Sequence, residues 1–271
     1  MLQFMLLFSK VRVIYGIASD MEVCFKLVDI FYKNKINKLM RSWRKFLKFM
    51  TLNLADHVVY QTNDQKQMAV STRWRQAQDV VIPNVFEKPA NVSFVYDGYC
   101  LWVGKLTGQK GERELLELAQ RTPEITYRIA GHSSPDFEAG DVYKKIVETR
   151  NIELLGRLGH GDLALQYQKA AFIVHTSPVE GLSNVFLEAW GWGKPVASLY
   201  VNPDNVLESQ TVGYCAAGNI PRLAGHLKSK CADQAYLEGA YLKNKEYVER
   251  QHGMVFFTEQ WNSFLKKYAE R

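Results

Sequence analysis

Glu180 and Glu188 bracket a run of chain that reads as strand, loop, helix and Gly/Pro turn, from His175 through Glu180-Gly-Leu-Ser-Asn to Gly193-Lys194-Pro195. Glu180 falls in the loop beyond the carboxyl end of a strand, where open α/β sheets bind their ligands. Ser183 suits the N-cap of the helix that follows, so the N–H groups of Asn184 and Val185 are expected to point into that crevice. A diphosphate there would meet backbone donors and the positive end of the helix dipole without a metal ion. Glu188 lies about a turn and a half along the helix and, like Glu180, could accept hydrogen bonds from vicinal hydroxyls. Two carboxylates beside a phosphate cradle suit a ligand that is part sugar and part nucleotide. The plain alternative is that both glutamates decorate a surface loop and helix; the Gly-Leu-Ser-Asn between them weighs against it.

Other candidates carry less. His57, His132, His160, His175, His226 and His252 follow no metal-ligand spacing, and His175 at a strand end reads as a core residue. Asp136-Phe-Glu138 follows Ser133-Ser134-Pro135 and reads as a solvated helix start, so no metal is assigned. Gly131-His132-Ser133 is a small-residue turn after a strand, a weak sign of nucleotide contact. Cys24, Cys100, Cys215 and Cys231 include no Cys-x-x-Cys pair, which argues against a disulfide framework or zinc site and makes a reducing cytoplasm the expected compartment.

Such a crevice needs a parallel sheet wrapped by helices, and the chain is patterned for one. Strands are expected at 11–17, 57–60, 80–82, 100–103, 125–130, 152–155, 172–175 and 196–199, most of them apolar on both faces. Helices are expected at 38–54, 64–71, 112–121, 142–150, 162–170 and 184–192, with a largely helical tail over 221–271. At 271 residues, 47% hydrophobic and 23% charged, the chain can bury two ordinary cores, which excludes disordered and collagen-like classes. No apolar run reaches the ~18–20 residues of a membrane span, and the opening Met1-Leu-Gln-Phe-Met-Leu-Leu-Phe8 lacks a basic n-region and cleavage site; neither a span nor a secretion signal is expected. Two prolines and two asparagines in Pro83-Asn84-Val-Phe-Glu-Lys-Pro-Ala-Asn91 read as an interdomain hinge. Residues 1–84 then form a partial α/β domain. Residues 85–271 suffice for a complete doubly wound domain whose last helix can pack back on the first.

Charge is uneven along the chain. Residues 1–94 hold 14 of the 34 Lys+Arg but 7 of the 28 Asp+Glu, so the +6 balance is N-terminal and implies a face turned to phosphates of a membrane, a nucleotide or nucleic acid. The segment from Lys33 to Leu54 is amphipathic: Leu39, Met40, Trp43, Phe46, Leu47, Met50 and Leu54 share a helical face, with Lys38, Arg41, Arg44, Lys45 and Lys48 around it. The reading favoured is that this face packs on the front domain's sheet; peripheral contact with a membrane surface is the alternative. Nucleic acid is not expected as a partner, because the basic residues follow no recognition motif and the rest of the chain is nearly neutral.

The stretch around Glu180 resembles the donor-site signature of the family 4 glycosyltransferases, retaining enzymes of the GT-B fold, in the subgroup whose loop reads Glu-Gly-[Leu/Phe]-[Ser/Pro]-Asn. The resemblance extends to Trp102-Val-Gly104-Lys105-Leu106 and Lys110-Gly111, similar to the family's first C-domain strand and its phosphate-binding Arg and Lys. It continues through Tyr127-Arg-Ile-Ala-Gly131-His132, Leu155-Gly-Arg-Leu158-Gly-His160 and the hinge at Pro83-Asn84, covering nearly the whole chain from Val11. It implies an α/β chain with a complete C-terminal Rossmann-like domain and a partial N-terminal one. The activity implied is hexose transfer from a UDP- or GDP-sugar to a hydroxyl of a saccharide or lipid-linked acceptor, as in cell-envelope polysaccharide assembly, with no metal cofactor. Lys105 and Lys110 would neutralise the leaving diphosphate, and Leu158, Leu182, Ser183, Asn184 and Val185 would contact the donor. Glu180 would hold the sugar hydroxyls and orient the anomeric carbon, and Glu188 would bind the ribose. The implied location is cytoplasmic, peripheral at the inner face of the membrane.

Three departures accompany the resemblance. Lys105 stands where the family usually has arginine, keeping the charge but not the planar two-pronged fork. Ala18 and Ser19 end a strand that in many members runs to a histidine near the sugar. The family's first strand, its glycine-rich loop and roughly 80–100 residues have no counterpart here, so an unpaired strand edge beside 11–17 and little transfer by this chain alone are expected. Two rival readings follow: a nucleotide-sugar-binding module without turnover, and a sugar-nucleotide epimerase, which matches the motifs less well.

Overall fold

The computed structural model describes residues 13–24, 38–74, 76, 79–87, 89 and 93–269. The chain divides into two compact units, residues 1–84 with 179–182 and 255–271, and residues 85–178 with 183–254.

In the first unit, strands Ile14–Gly16 (β1), His57–Tyr60 (β2) and Val80–Val81 (β3) alternate with helices Lys38–Leu54 (α1) and Asn63–Met68 (α2). The strands form a parallel sheet in the order β1-β2-β3, with Tyr15 opposite Val58 and Val59 opposite Val80. Every residue of β2 is buried, as a central parallel strand requires. At the outer edge among the described residues stands β1; residues 11 and 12 of the expected strand lie outside them. Ile17, Val23, Leu52, Val58 and Tyr60 make the core. A fully buried ion pair, Arg73 Nε to Asp79 Oδ2 at 2.8 Å, locks the end of α1 to the sheet. Arg73 also donates to the carbonyls of Leu52 and Ala55, and Asp79 accepts from the Val58 N–H and the Tyr60 hydroxyl. In the same unit the C-terminal helix Met254–Ala269 brings Phe264 edge-on to His57 at 5.4 Å.

The orientation of α1 corrects the sequence reading. Leu52 and Asn53 are its buried residues, whereas Leu39, Met40, Trp43, Phe46 and Leu47 are exposed, Trp43 at 58%. Leu52 lies half a turn of the helix wheel from Trp43. Arg73's bond to the Leu52 carbonyl fixes the Leu52 side inward and turns the aromatic face to solvent. Periodicity defines an apolar face but not the direction in which it points. Residues 33–37 of the amphipathic segment lie outside the described residues.

The second unit is a six-stranded, all-parallel sheet in the order β6-β5-β4-β7-β8-β9. Its strands are Cys100–Val103 (β4), Tyr127–Ala130 (β5), Ile152–Gly156 (β6), Phe172–His175 (β7), Val196–Ser198 (β8) and Gly213–Cys215 (β9). The helices between them are Glu112–Arg121 (α3), Pro135–Glu138 (α4), Asp141–Glu148 (α5), His160–Lys169 (α6), Asn184–Gly191 (α7) and Val206–Ser209 (α8), followed by Ile220–Lys230 (α9) and Gln234–His252 (α10). Trp102, Leu115, Tyr127, Ile129, Phe172, Val174 and Leu223 fill the core. Strand β9 was not expected from the sequence, because Gly-Tyr-Cys on a half-buried edge has no apolar run to announce it. Its Gly213 is needed by packing: a Cβ there would stand 2.4 Å from the Val196 carbonyl oxygen. Pro135 starts α4 and the Ser134 hydroxyl accepts from the Phe137 N–H, so Asp136 and Glu138 do belong to a helix start. All four cysteines are free thiols, with the Cys100 and Cys231 sulfurs 3.8 Å apart. Among the described residues no group of three His, Cys, Asp or Glu converges as a metal site, and no helix is long and apolar enough to cross a membrane.

Candidate functional site

Strands β4 and β7 are neighbours in the middle of the second sheet, yet the chain leaves them in opposite directions, toward β5 and toward β8. At such a switch point the two following loops separate and leave a crevice at the carboxyl ends of the strands. The loop after β4 carries Lys105 and Lys110. The loop after β7 runs through Thr176 and Ser177, both buried, toward the N-terminus of α7. Close backbone packing sets the start of the first loop. A Cβ on Gly131, whose φ is +154°, would stand 1.7 Å from the Gly104 carbonyl oxygen, so a glycine at 131 is needed for β4 and β5 to end side by side.

Lys105 is exposed and makes no hydrogen bond or ion pair among the described residues, so its ammonium is available to an anion. Lys110 is half-buried and its backbone is held on both sides. Its N–H donates to Glu112 Oε2 at 3.0 Å, and its carbonyl accepts from the Thr176 hydroxyl at 2.9 Å. Thr176 in turn accepts from the indole Nε1 of Trp102 at 3.0 Å, which completes a bridge from β4 through the β7 loop to the lysine. Gly111 follows at φ +76°, and a Cβ there would stand 2.0 Å from the Thr176 carbonyl oxygen. Sequence reasoning missed Trp102, Thr176 and Glu112 as parts of this site. Their partners are distant in sequence or lie in an irregular turn, and no spacing announces them; the Gly after Lys110 was the one visible signal.

Ser183 takes the extended N-cap conformation ahead of α7, and its carbonyl accepts from the Phe186 N–H. Ser183 thus holds the N-cap position, but its hydroxyl makes no cap bond and the cap is one of backbone conformation alone. The first-turn N–H of Val185 has no intrahelical acceptor, as in any helix, and Asn184 beside it is exposed. Glu188 is half-buried, and burial pushes its carboxyl above the usual range against the opposing pull of Tyr167 and His160. Both neighbours come from α6, two turns apart on one face. The Tyr167 hydroxyl is buried without hydrogen-bond geometry to any partner; burial and the Glu188 charge push its pKa up. Leu158, half-buried, lies in the turn between β6 and α6.

Glu180 and Leu182 fall in the segment 179–182 that belongs to the first unit, where Glu180 is half-buried and Leu182 buried. Gly181 between them would put a Cβ 2.3 Å from Gln65 Nε2. The second unit therefore carries Lys105 and Lys110 on the loop after β4, and Ser183, Asn184 and Val185 at the N-cap and first turn of α7, with Glu188 one turn further along that helix. Both lysines follow β4 and the N-terminus of α7 follows β7, so cationic side chains and first-turn helix N–H groups lie on connections from the same end of two adjacent parallel strands.

Residues 97–233, about half of the chain, match the family described as glycosyl transferases group 1. An uncharacterized glycosyltransferase of Haemophilus influenzae is 21% identical over 243 residues, covering 84% of this chain and 65% of the relative, so the chain spans less than two thirds of that protein. The structure of Anabaena HepE with UDP-glucose superposes with a TM-score of 0.75 at 15% identity, over 98% of this chain and 75% of that one. The structure of S. aureus TarM with UDP and α-GlcNAc-glycerol gives 0.72 at 15% identity, over 93% of this chain and 50% of that one. The expected α/β architecture of GT-B type is thus met. The loops after β4 and β7 lie within the matched stretch, and the protein belongs to the glycosyl transferases group 1.

Proposed function

We propose that the second unit binds a UDP- or GDP-sugar and that the protein transfers its hexose, with retention of anomeric configuration, to a hydroxyl of a saccharide or lipid-linked acceptor, in the manner of family 4 enzymes in cell-envelope polysaccharide assembly. The observation that carries this reading is a lysine whose backbone is pinned at the β4/β7 switch point, on the same sheet edge as the N-terminus of α7. The ammonium groups of Lys105 and Lys110, with the N–H groups at Ser183, Asn184 and Val185, would take the charge that grows on the departing diphosphate. No metal ion is then required. Glu188 would accept from the ribose hydroxyls and Glu180 from those of the sugar, while Leu158 and Leu182 would line the donor. Attack on the face the phosphate leaves, with that phosphate taking the acceptor proton, needs no protein nucleophile. The exposed Trp43 and Phe46 of α1, flanked by basic residues, favour a peripheral position at the cytoplasmic face of a membrane, where a lipid-linked acceptor would be found.

Titration calorimetry with UDP and GDP in EDTA tests the donor site. Binding by the parent and a roughly ten- to hundredfold loss in Lys110→Ala are expected, the equivalent of a charge-assisted hydrogen bond. Glu188→Gln should weaken the free nucleotide, and Glu180→Gln only the nucleotide sugar. Equal affinity of Lys110→Ala and parent, or a strict magnesium requirement, would refute the assignment.

A further inference from the structure

The carboxylate of Glu112 is 1% exposed and has no cationic side chain against it among the described residues. Its charge is met by backbone alone. Oε1 accepts from the N–H groups of Thr107 at 2.7 Å and Gly108 at 2.8 Å, and Oε2 accepts from the N–H of Lys110 at 3.0 Å. Glu112 is also the first residue of α3, where the helix dipole favours a negative charge. Successive N–H groups converging on one point form a nest of the kind that elsewhere takes a phosphate oxygen. Here a side chain of the protein fills the nest from within.

Two consequences oppose each other. A negative charge behind the loop repels a diphosphate in front of it, so its removal alone would strengthen binding. The same carboxylate fixes the Lys110 N–H, while Thr176 fixes the Lys110 carbonyl, so its removal would release the N–H side of the lysine's backbone. Three N–H donors and the helix dipole largely neutralise the carboxylate, so the repulsion is the smaller effect.

We propose that Glu112 is a positioning residue of the diphosphate subsite, filling the loop's N–H nest so that phosphate is met by the side chain of a rigidly held Lys110 rather than by the loop backbone. This rests on the donor-binding reading above. Glu112→Gln is the discriminating substitution. Its amide oxygen can keep Thr107 and Gly108, but its NH2 would then face the Lys110 N–H, donor against donor.

The test compares UDP and UMP by calorimetry on the parent, Glu112→Gln, Lys110→Ala and the double variant, with circular dichroism to confirm folding. The expected result is a loss of about tenfold in UDP affinity for Glu112→Gln, UMP affinity within about twofold of the parent, and little further loss when the substitution is made on Lys110→Ala. A second measurement uses the parent alone. Amide exchange at Thr107, Gly108 and Lys110 should be slow without nucleotide and unchanged by saturating UDP. The proposal is overturned if Glu112→Gln binds UDP as tightly as the parent or more so, if UDP and UMP weaken equally, if the two substitutions add, or if UDP slows exchange at those three amides. If the parent binds neither UDP nor GDP, the donor reading falls and this proposal with it; binding by the parent with an unaltered Glu112→Gln removes this proposal alone.

Discussion

Replacing Thr176 with valine removes one oxygen from the second unit and two hydrogen bonds with it. Thr176 is fully buried, and Trp102 is 2% exposed, so water cannot substitute for the lost hydroxyl. The indole N–H of Trp102 would be left without an acceptor, at a cost of ~1–3 kcal/mol, and the Lys110 carbonyl would lose a bond worth ~0.5–1.5 kcal/mol, for a destabilisation of roughly 2–4 kcal/mol. Valine matches threonine in shape, so no cavity adds to this figure. Urea unfolding followed by circular dichroism measures it directly. Thr176→Ser, which retains the hydroxyl, should recover most of the loss. Because the Lys110 carbonyl is released, UDP affinity should fall about five- to tenfold in Thr176→Val and stay within about twofold in Thr176→Ser. A valine variant as stable as the parent, or a serine variant no better than the valine one, would refute the bridge between β4, the β7 loop and Lys110.

Two further outcomes follow from the geometry. Burial pushes the His226 imidazole down to about 4, with its ring stacked on Tyr214 at 4.1 Å. The unfolded chain therefore binds the proton more readily than the folded one between ~6.5 and about 4, so this contribution is intact above ~6.5 and is lost progressively as the pH falls through that window. Unfolding of His226→Gln, measured across pH 4 to 7, should lack this part of the slope; parallel curves for the variant and the parent would exclude it. For α1, Trp43→Ala with Phe46→Ala should reduce co-sedimentation with vesicles containing anionic lipid by about tenfold, and equal sedimentation of variant and parent would exclude membrane contact through this face.

Much of the second sheet was legible because buried parallel strands are continuous apolar runs. Cys100–Val103 and Phe172–His175 stand as read, and Glu112–Arg121 is bounded as its pattern predicts. Strand β9 was not, since three residues on an edge carry no period. The loop from Glu180 to Val185 and the lysines at 105 and 110 were visible because residue types in short order carry them. What each contacts was not. Strand order places β4 beside β7, although 68 residues separate Val103 from Phe172, and this pairing brings Thr176 to Lys110. A three-donor nest cannot be seen in Thr-Gly-Gln-Lys-Gly-Glu, because the turn that converges the N–H groups is set by Gly111 against the β7 loop. The same limit explains α1. Its apolar face is a property of spacing along one helix, while the direction of that face is decided by Arg73 and Asp79, which bury Leu52 and are reached only through the fold. Local order in the sequence thus determined the elements and the chemistry available to them; long-range pairing and burial decided which groups meet, which charge is hidden within the loop after β4 and which hydrophobic face is left outside.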